Sequence, residues 1–282
     1  MNKKIVFFFS FILMFSNSIY GVQKVEVYTY DTLPPLAFRD TTGTLTGIYI
    51  EIVKKAVSRM PDYEVVFKVV PWARAKQKVS DGSAFAILPP YFHAHDWLTA
   101  GSEKRPYIWP YSLPLFTQSD VVMCNSKINP TPEWKFPESY EGLTFAMWRG
   151  DGRAGGKFMD MVKNQKIRVV EVSDILRTVL FVLKERADCT VTSRMPFFWY
   201  LNRIKNSPKY NVISGNVQLI ESSVISKNQG YLGYSDIDSD KNYPFKKDFS
   251  IKFDIEVYKM KKNNEIDSIV ESFIGIQPWM LE

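Results

Sequence analysis

The sequence predicts an α/β protein of two lobes joined by two crossing strands, which together form a hinged clamshell. Short β-rich segments alternate with amphipathic helical segments over residues 24–88, and the same alternation returns over residues 143–192. Such alternation predicts parallel sheets with helices on their faces. Strand-like segments at residues 115–125 and 223–234 follow the two units, and we expect these segments to be the crossings.

The first unit opens with alternating apolar and polar residues at 24–30, which predict a strand. The Pro34-Pro35 pair ends this strand, because proline cannot donate a hydrogen bond to a strand ladder. A polar turn at residues 40–47 leads into apolar spacing that is typical of a helix. The predicted elements that follow are a helix at 48–60, a strand at 63–70, a helix at 71–79 and a strand at 84–88.

The second unit repeats this order. A strand at residues 143–148 precedes a glycine-rich turn at residues 150–156, which we expect to open a helix that reaches residue 163. The remaining predicted elements are a strand at 168–172, a helix at 174–184, a strand at 188–192 and a final helix at 249–273. Ligands of open α/β sheets bind beyond the carboxyl ends of the strands, so the expected site is the cleft between the lobes.

The N-terminal segment has the composition of a secretory signal peptide. Two lysines precede an apolar run at residues 5–15, and mostly small, polar residues follow at 16–21. The apolar run is shorter than the roughly 20 residues that a membrane-spanning helix needs. We expect cleavage between residues 18 and 22 and a soluble product in the periplasm. No lipid anchor is expected, because the first cysteine is Cys124.

Charge and cysteine content narrow the function classes. The 282-residue chain has a formal net charge of +6, which falls to +4 when Lys3 and Lys4 leave with the signal peptide. The lysines are scattered and often stand beside acids, so we expect no nucleic-acid partner. Cys124 and Cys189 both lie in apolar, strand-like runs. In an oxidising compartment they are either a disulfide or two buried thiols, and the sequence leaves this open.

An ordered set of short motifs runs through the chain beyond the signal peptide. It comprises a strand, elbow, turn and helix at 28–53 with Gly43 and Gly47, then Pro71-Trp72 with Arg74, Gly82, Gly142-Leu143 with Gly150 and Gly152, residues 185–189, and residues 259–278. In this order the motifs resemble the bacterial extracellular solute-binding proteins of family 3, the periplasmic receptors of polar-amino-acid ABC importers.

The resemblance implies a periplasmic-binding-protein-like clamshell. Its lobes would comprise residues 22–117 with 234–282 and residues 118–233, after the signal peptide at 1–21. The implied function is capture of a small polar, carboxylate-bearing solute for the membrane permease of an ABC importer, by a monomer without a cofactor or enzymatic activity. One alternative is an exported sensor that signals to a separate membrane partner. A dehydratase-like enzyme on the same fold is the weakest alternative.

Relatives that bind α-amino acids hold the carboxylate with an arginine, seven residues before the serine of an aromatic-Ser-x-Pro motif. That motif occupies residues 111–114 here, and Arg105 stands seven positions before its serine. The planar guanidinium of arginine suits bidentate pairing with a carboxylate. The segment from Gly82 to Arg105 is longer than in the family, so His95 is the alternative. His93, His95 and Asp96 share one loop, which is too weak a pattern to predict a metal site.

The resemblance also places site residues in the second lobe. We expect residues 150–154 to open a helix whose free N–H groups attract an anion, with Trp148 stacking on the solute. Ser193 stands where relatives carry the aspartate that binds the solute's amino group, a departure that disfavours an ordinary α-amino acid. The predicted solute-binding residues are Tyr30, Leu33, Trp72, Tyr91, Arg105, Trp148, Gly150, Asp151, Gly152, Arg153 and Ser193.

The signal-peptide interpretation is tested by cell fractionation with intact-mass analysis. The expected product lacks about 21 residues, carries no lipid and is recovered in the soluble exported fraction, because the apolar run is too short to anchor it. Recovery of the native protein only with detergent, as an embedded membrane protein, would contradict this interpretation.

Overall fold

The computed structural model describes residues 21–92, 97–99, 102, 104–149, 151–206 and 217–274. The predicted signal peptide lies outside these residues apart from Gly21, as do the loop residues His93, His95 and Asp96 and the predicted site residue Gly150.

The described part of the chain contains thirteen strands, eight α-helices and two short 3-10 helices. The strands are β1 (Gln23–Thr29), β2 (Thr32–Leu33), β3 (Ala37–Arg39), β4 (Leu45–Thr46), β5 (Tyr63–Val69), β6 (Ala86–Ile87), β7 (Ile108–Tyr111), β8 (Phe116–Asn125), β9 (Thr144–Trp148), β10 (Arg168–Val172), β11 (Cys189–Ser193), β12 (Leu219–Gly230) and β13 (Gly233–Ser235). The helices are α1 (Ile48–Val57), α2 (Trp72–Ser80), α3 (Gly155–Lys163), α4 (Ile175–Leu183), α5 (Arg194–Lys205), α6 (Ser239–Asn242), α7 (Lys246–Lys262) and α8 (Glu265–Ile274). No helix in these ranges is both long and apolar enough to cross a membrane.

The first lobe contains a five-stranded sheet in the order β5-β1-β6-β13-β7. Strand β1 pairs in parallel with β5 and β6, as the β-α-β-α-β pattern predicts. Strand β13 is antiparallel to β6 and β7, which the local pattern does not predict because both neighbours are distant in sequence. Helix α1 buries one apolar face on this sheet, and α7 buries Phe249, Phe253 and Val257 in the same core.

The second lobe contains a five-stranded sheet in the order β10-β9-β11-β8-β12. Strands β10, β9 and β11 are parallel, and helices α3 and α4 connect them as the sequence predicts. Strands β8 and β12 are antiparallel to the neighbours they pair with. Sheets flanked by helices in two lobes confirm the predicted fold class.

Strands β8 and β12 are the two crossings. They pair along their length, from Gly230 opposite Phe116 to Leu219 opposite Asn125. Strand β12 is followed after two residues by β13, which belongs to the sheet of the first lobe. We propose that the lobes divide at these crossings, at residues 117–118 and 233–234.

Three local predictions need correction. The final helical segment is two helices, α7 and α8, because Asn264 adopts a left-handed conformation with φ 55° that ends the first. Helix α3 begins at Gly155 and not at the start of the glycine-rich turn. The Pro34-Pro35 elbow separates β2 from β3 within a small three-stranded sheet, so it organises a hairpin as well as ending a strand.

Cys124 and Cys189 form a disulfide. The two cysteines are directly opposite in the β8–β11 ladder and fully buried, so strand register brings their side chains together. The bond fixes the register of the crossing strand β8 against the centre of the second-lobe sheet.

Glycine is required at two positions where α1 and its N-terminal residue approach other segments closely. Gly47 has φ +127°, and a Cβ there would lie 2.5 Å from the backbone oxygen of Leu36. Gly230, at the end of crossing strand β12, faces the buried phenol of Tyr49 so closely that a Cβ would lie 2.5 Å from the ring carbon Cζ. Helix α1 therefore packs this closely against the end of β12 only because Gly230 has no side chain.

We expect Gly230→Ala to lower the free energy of unfolding by about 1–3 kcal/mol, because the added methyl overpacks against Tyr49. Urea unfolding followed by circular dichroism measures this loss. Gly156→Ala is the matched control, since a Cβ there meets nothing within 4 Å. In a Tyr49→Phe background the loss should shrink, because the two residues are coupled. An equal loss in both backgrounds would contradict the contact.

Candidate functional site

Five of the predicted site residues lie at the carboxyl ends of parallel strands. Tyr30 follows β1, Trp72 follows β5 and Tyr91 comes a few residues after β6, all in the first lobe. Trp148 ends β9 and Ser193 ends β11 in the second lobe. This is the edge at which open α/β sheets bind ligands.

Aromatic side chains form the first-lobe wall of the site. The ring of Tyr30 meets the ring of Trp72 edge-on, with centroids 5.4 Å apart, and both side chains are half-buried. Burial raises the pKa of Tyr30, and the nearby Tyr91 raises it further, so its phenol stays neutral and able to donate a hydrogen bond. Leu33, in contrast, packs against the first-lobe core. In the second lobe, Trp148 is 38% exposed at its strand end and available for stacking.

A buried carboxylate lies beside the carboxyl end of β11 in the second lobe. Asp120, on β8, is directly opposite Ser193 in the β8–β11 ladder and only 7% exposed. Its Oδ1 accepts hydrogen bonds from Ser193 Oγ at 2.8 Å and from Arg153 Nη1 at 3.0 Å. Its Oδ2 accepts from Ser226 Oγ at 2.9 Å and from Asn228 Nδ2 at 3.3 Å. The four donors occupy this carboxylate fully, so its role is to hold other groups in place.

Arg153 is held from two sides. Its Nε donates to the carboxylate of Asp151, with a shortest contact of 2.6 Å, and its Nη1 donates to Asp120 and Ser193. Burial lowers the pKa of Arg153, but the charges of Asp151 and Asp120 outweigh this effect and the pKa is raised. Within the described part of the chain Nη2 has no hydrogen-bond partner. One edge of a fixed guanidinium is thus left for another acceptor.

A hydrogen-bond chain joins the first lobe to this cluster. Tyr91 Oη donates to Gln118 Oε1 at 3.0 Å, and Gln118 Nε2 donates to Ser193 Oγ at 2.6 Å. Burial raises the pKa of Tyr91 to about 12, with the Asp120 charge adding to the effect, so the phenol keeps its proton at neutral pH. Residues of both lobes and of both crossing strands therefore meet at Asp120. We call Tyr91, Gln118, Asp120, Asp151, Arg153, Ser193, Ser226 and Asn228 the Asp120 cluster.

The structure places Arg105 away from this cluster. Strand β7 begins at Ile108 opposite Ser235, whereas its end pairs with Gly233 next to the carboxyl end of β6. Strands β7 and β6 run in the same direction, and Arg105 precedes β7. Arg105 therefore lies at the amino ends of these strands, whereas Tyr91 lies at their carboxyl ends. Its guanidinium is exposed and 3.5 Å from the carboxylate of Asp236. The spacing to the aromatic-Ser-x-Pro motif therefore does not bring Arg105 to the cleft, because β7 runs antiparallel to β13 at the edge of the sheet. Its alternative, His95, lies outside the described residues.

The glycine-rich turn also differs from the sequence prediction. Residues 151–154 precede α3, so they are a loop and not the first turn of a helix. The backbone N–H of Asp151 donates to the Trp148 carbonyl, and that of Arg153 donates to the Asp151 side chain. Two N–H groups expected to bind an anion are therefore used within the loop. Gly152 in this loop is exposed.

Four members of the cluster were missed by the sequence analysis: Gln118, Asp120, Ser226 and Asn228. The sequence does contain a signal for Asp120, because this acidic residue directly precedes the apolar run that ends in Cys124. In the strand ladder, Asp120 on the neighbouring strand β8 lies directly opposite Ser193.

No family model matches the chain, and no curated protein sequence is significantly similar to it. Solved structures are similar over almost the full length. The chain has the fold of the periplasmic solute-binding proteins. Among them is the L-cystine solute receptor of Neisseria gonorrhoeae in its unliganded open conformation, with 17% identity, 90% of this chain and 93% of that chain covered, and a TM-score of 0.59.

Two further structures share this fold. A probable amino-acid ABC transporter extracellular-binding protein of Bacillus subtilis has 13% identity over 90% of this chain and 98% of that chain, with a TM-score of 0.62. A histidine kinase sensor domain with similarity to periplasmic binding proteins has 14% identity over 91% and 98% of the two chains, with a TM-score of 0.59. These neighbours agree with the family resemblance carried by the sequence motifs.

We expect Asp120→Asn to destabilise the protein by about 3–5 kcal/mol, because it removes one partner of a buried ion pair and presents an amide to donors on both sides. Urea unfolding measures the change. Asp160→Asn is the control, since Asp160 pairs with Lys163 at the surface with both side chains at least 70% exposed, and little change is expected there. Equal stability of the Asp120→Asn variant and the parent would show that the cluster does not support the fold.

Proposed function

We propose that this protein is an exported solute-binding protein that captures a small polar, carboxylate-bearing solute between its lobes. The observation that carries the proposal is the fixed guanidinium of Arg153. Its Nε and Nη1 are bound by Asp151 and Asp120, and its Nη2 edge is free of partners in the described residues. Preorganisation of this kind lowers the entropic cost of binding.

The surroundings of Arg153 suit a small polar solute. Tyr30, Trp72 and Trp148 stand at the strand ends of the two lobes and offer ring faces and edges. The cluster already contains two carboxylates and one guanidinium, so the solute carboxylate must lie on the Nη2 side. Ser193 provides no charge for an ammonium group, and Asp120 has no unused acceptor position. Carboxylates that lack an α-ammonium are therefore expected to bind at least as well as the matching amino acids.

We propose that the protein delivers its solute to the membrane permease of an ABC importer. The similarity in fold to the probable amino-acid ABC transporter extracellular-binding protein of Bacillus subtilis supports this proposal by analogy. The similarity to a histidine kinase sensor domain favours a second candidate, an exported sensor that signals to a separate membrane partner. Both candidates share the same solute cleft and a binding rather than a catalytic function.

A thermal-shift screen identifies the solute. The purified protein is tested against amino acids, small carboxylates, polyamines and oligosaccharides, because a ligand that binds only the folded state raises the unfolding temperature. Growth on the identified solute, with and without the gene, then distinguishes transport from sensing. Stabilisation by polyamines or neutral oligosaccharides alone would contradict a carboxylate-bearing solute.

With a carboxylate found by the screen, Arg153→Lys should weaken binding about tenfold or more, because a lysine loses the planar fork while keeping the charge. Isothermal titration calorimetry measures the dissociation constant. Arg105→Lys is the matched control and should bind as the parent does, since Arg105 lies at the far edge of the sheet. Circular dichroism checks that both variants are folded.

The opposite pattern would overturn the assignment. If Arg105→Lys loses binding and Arg153→Lys retains it, the carboxylate is bound at the position that the family motif suggests. If both variants bind the carboxylate as tightly as the parent does, the planar guanidinium of neither arginine is needed for binding.

A further inference from the structure

A second cavity lies on the opposite face of the crossing strands from Asp120. Its volume is about 310 Å3. The lining comes from the start of β8, Lys227 of β12, the first residues of α5 and the junction of α7 with α8. We call this cavity the rear pocket. It contains none of the residues of the Asp120 cluster.

Strand alternation explains the separation of the two sites. Gln118 and Asp120 point toward the cluster, so Ser119 between them points to the other face of β8. Ser226 and Asn228 likewise bond Asp120, so Lys227 between them faces away. Lys227 and Ser119 are paired across the β8–β12 ladder and both line the rear pocket.

The hydroxyl of Ser119 has no partner among the described residues. The residue is only 7% exposed, and its side chain makes no hydrogen bond to any described residue. The hydroxyl is accessible from the pocket, since it is not one of the fully buried polar atoms that lack a partner in the described residues. Ser119 opens onto the rear pocket, so a group bound there is placed to accept its hydrogen bond.

Positive charge predominates in the lining. Lys227 and Lys261 form no salt bridge or side-chain hydrogen bond with the described part of the chain. Arg194 also lines the pocket, but Glu221 holds it with two bonds of 2.8 and 2.6 Å. The only carboxylate in the described lining is Asp267. An anion between the two lysines would gain charge-assisted hydrogen bonds that the protein itself does not supply.

Apart from Thr117, the rest of the lining is apolar. Met195, Ile266 and Val270 are at most 6% exposed and face the cavity beside Leu115. A fully hydrophilic anion such as phosphate would leave this surface uncovered. A carboxylate with a short hydrocarbon chain covers it while its head group meets the lysines and Ser119.

We propose that the rear pocket is a second binding site, specific for a small aliphatic carboxylate. Lys227 and Lys261 bind the carboxylate, the Ser119 hydroxyl donates to it, and the chain packs on Met195 and Ile266. Met195 belongs to α5 of the second lobe and Ile266 to α8, which packs on the first lobe. An occupant therefore touches both lobes and favours the lobe arrangement described here. The residues of this site are not those proposed to bind the solute of the cleft.

Hexanoate is the probe. Calorimetry on the purified protein should detect binding, and Ser119→Ala should weaken it about tenfold, because a hydrogen bond to a charged group is lost. The Ser119 hydroxyl has no partner in the described residues, so Ser119→Ala should leave the unfolding temperature unchanged. Lys227→Met with Lys261→Met should weaken binding further, whereas Lys262→Met, one residue along α7 and outside the lining, should not.

A second measurement detects hexanoate in the rear pocket of the protein without substitutions. With 13C-methyl-labelled methionine, the Met195 resonance, assigned through Met195→Leu, should shift during the hexanoate titration while that of Met147 stays. Hexylammonium and 1-hexanol should not reproduce the shift, since they lack the carboxylate.

Three results would overturn the proposal. The first is the absence of hexanoate binding, and the second is an unmoved Met195 resonance. The third is binding that survives the Ser119 and lysine substitutions but is lost in Arg153→Lys, which would place hexanoate in the cleft. In that case the rear pocket is refuted and the solute cleft is supported.

Discussion

The buried ion pair between Asp120 and Arg153 is the interaction on which the site depends. Asp120 stands on a crossing strand, and its carboxylate accepts from the second-lobe sheet, from the glycine-rich loop and from the other crossing strand. Removing a charge from such a pair is costly, because its partner remains buried and unpaired. The pair is therefore fixed in place, and the Nη2 edge of the guanidinium has no partner among the described residues.

The crossing strands have two different faces. Gln118 of β8 and Ser226 of β12 face the Asp120 cluster. Their odd-numbered neighbours Ser119 and Lys227 face the rear pocket. Both faces belong to the same pair of strands. At Gly230 the Tyr49 phenol packs directly against the end of β12.

Local sequence chemistry predicted much of the fold. Period-two alternation located β1 and β5, helical spacing located α1 and α4, and the two alternating units predicted two lobes. The errors arose where long-range pairing decides the outcome. Strands β7 and β13 find partners far away in the chain, and the break between α7 and α8 depends on a single left-handed asparagine.

The sequence by itself determined the two-lobe α/β fold, since strands and helices follow from periodicity and turn residues. It also singled out Ser193 and Arg153, whose side chains the structure brings together. Only the tertiary structure decided which groups meet. It placed Arg105 at the far edge of its sheet, joined Cys124 to Cys189, and set Asp120 opposite Ser193. Residues so distant in sequence become neighbours through strand register, and register is fixed by pairing and core packing across the sheet rather than by local pattern.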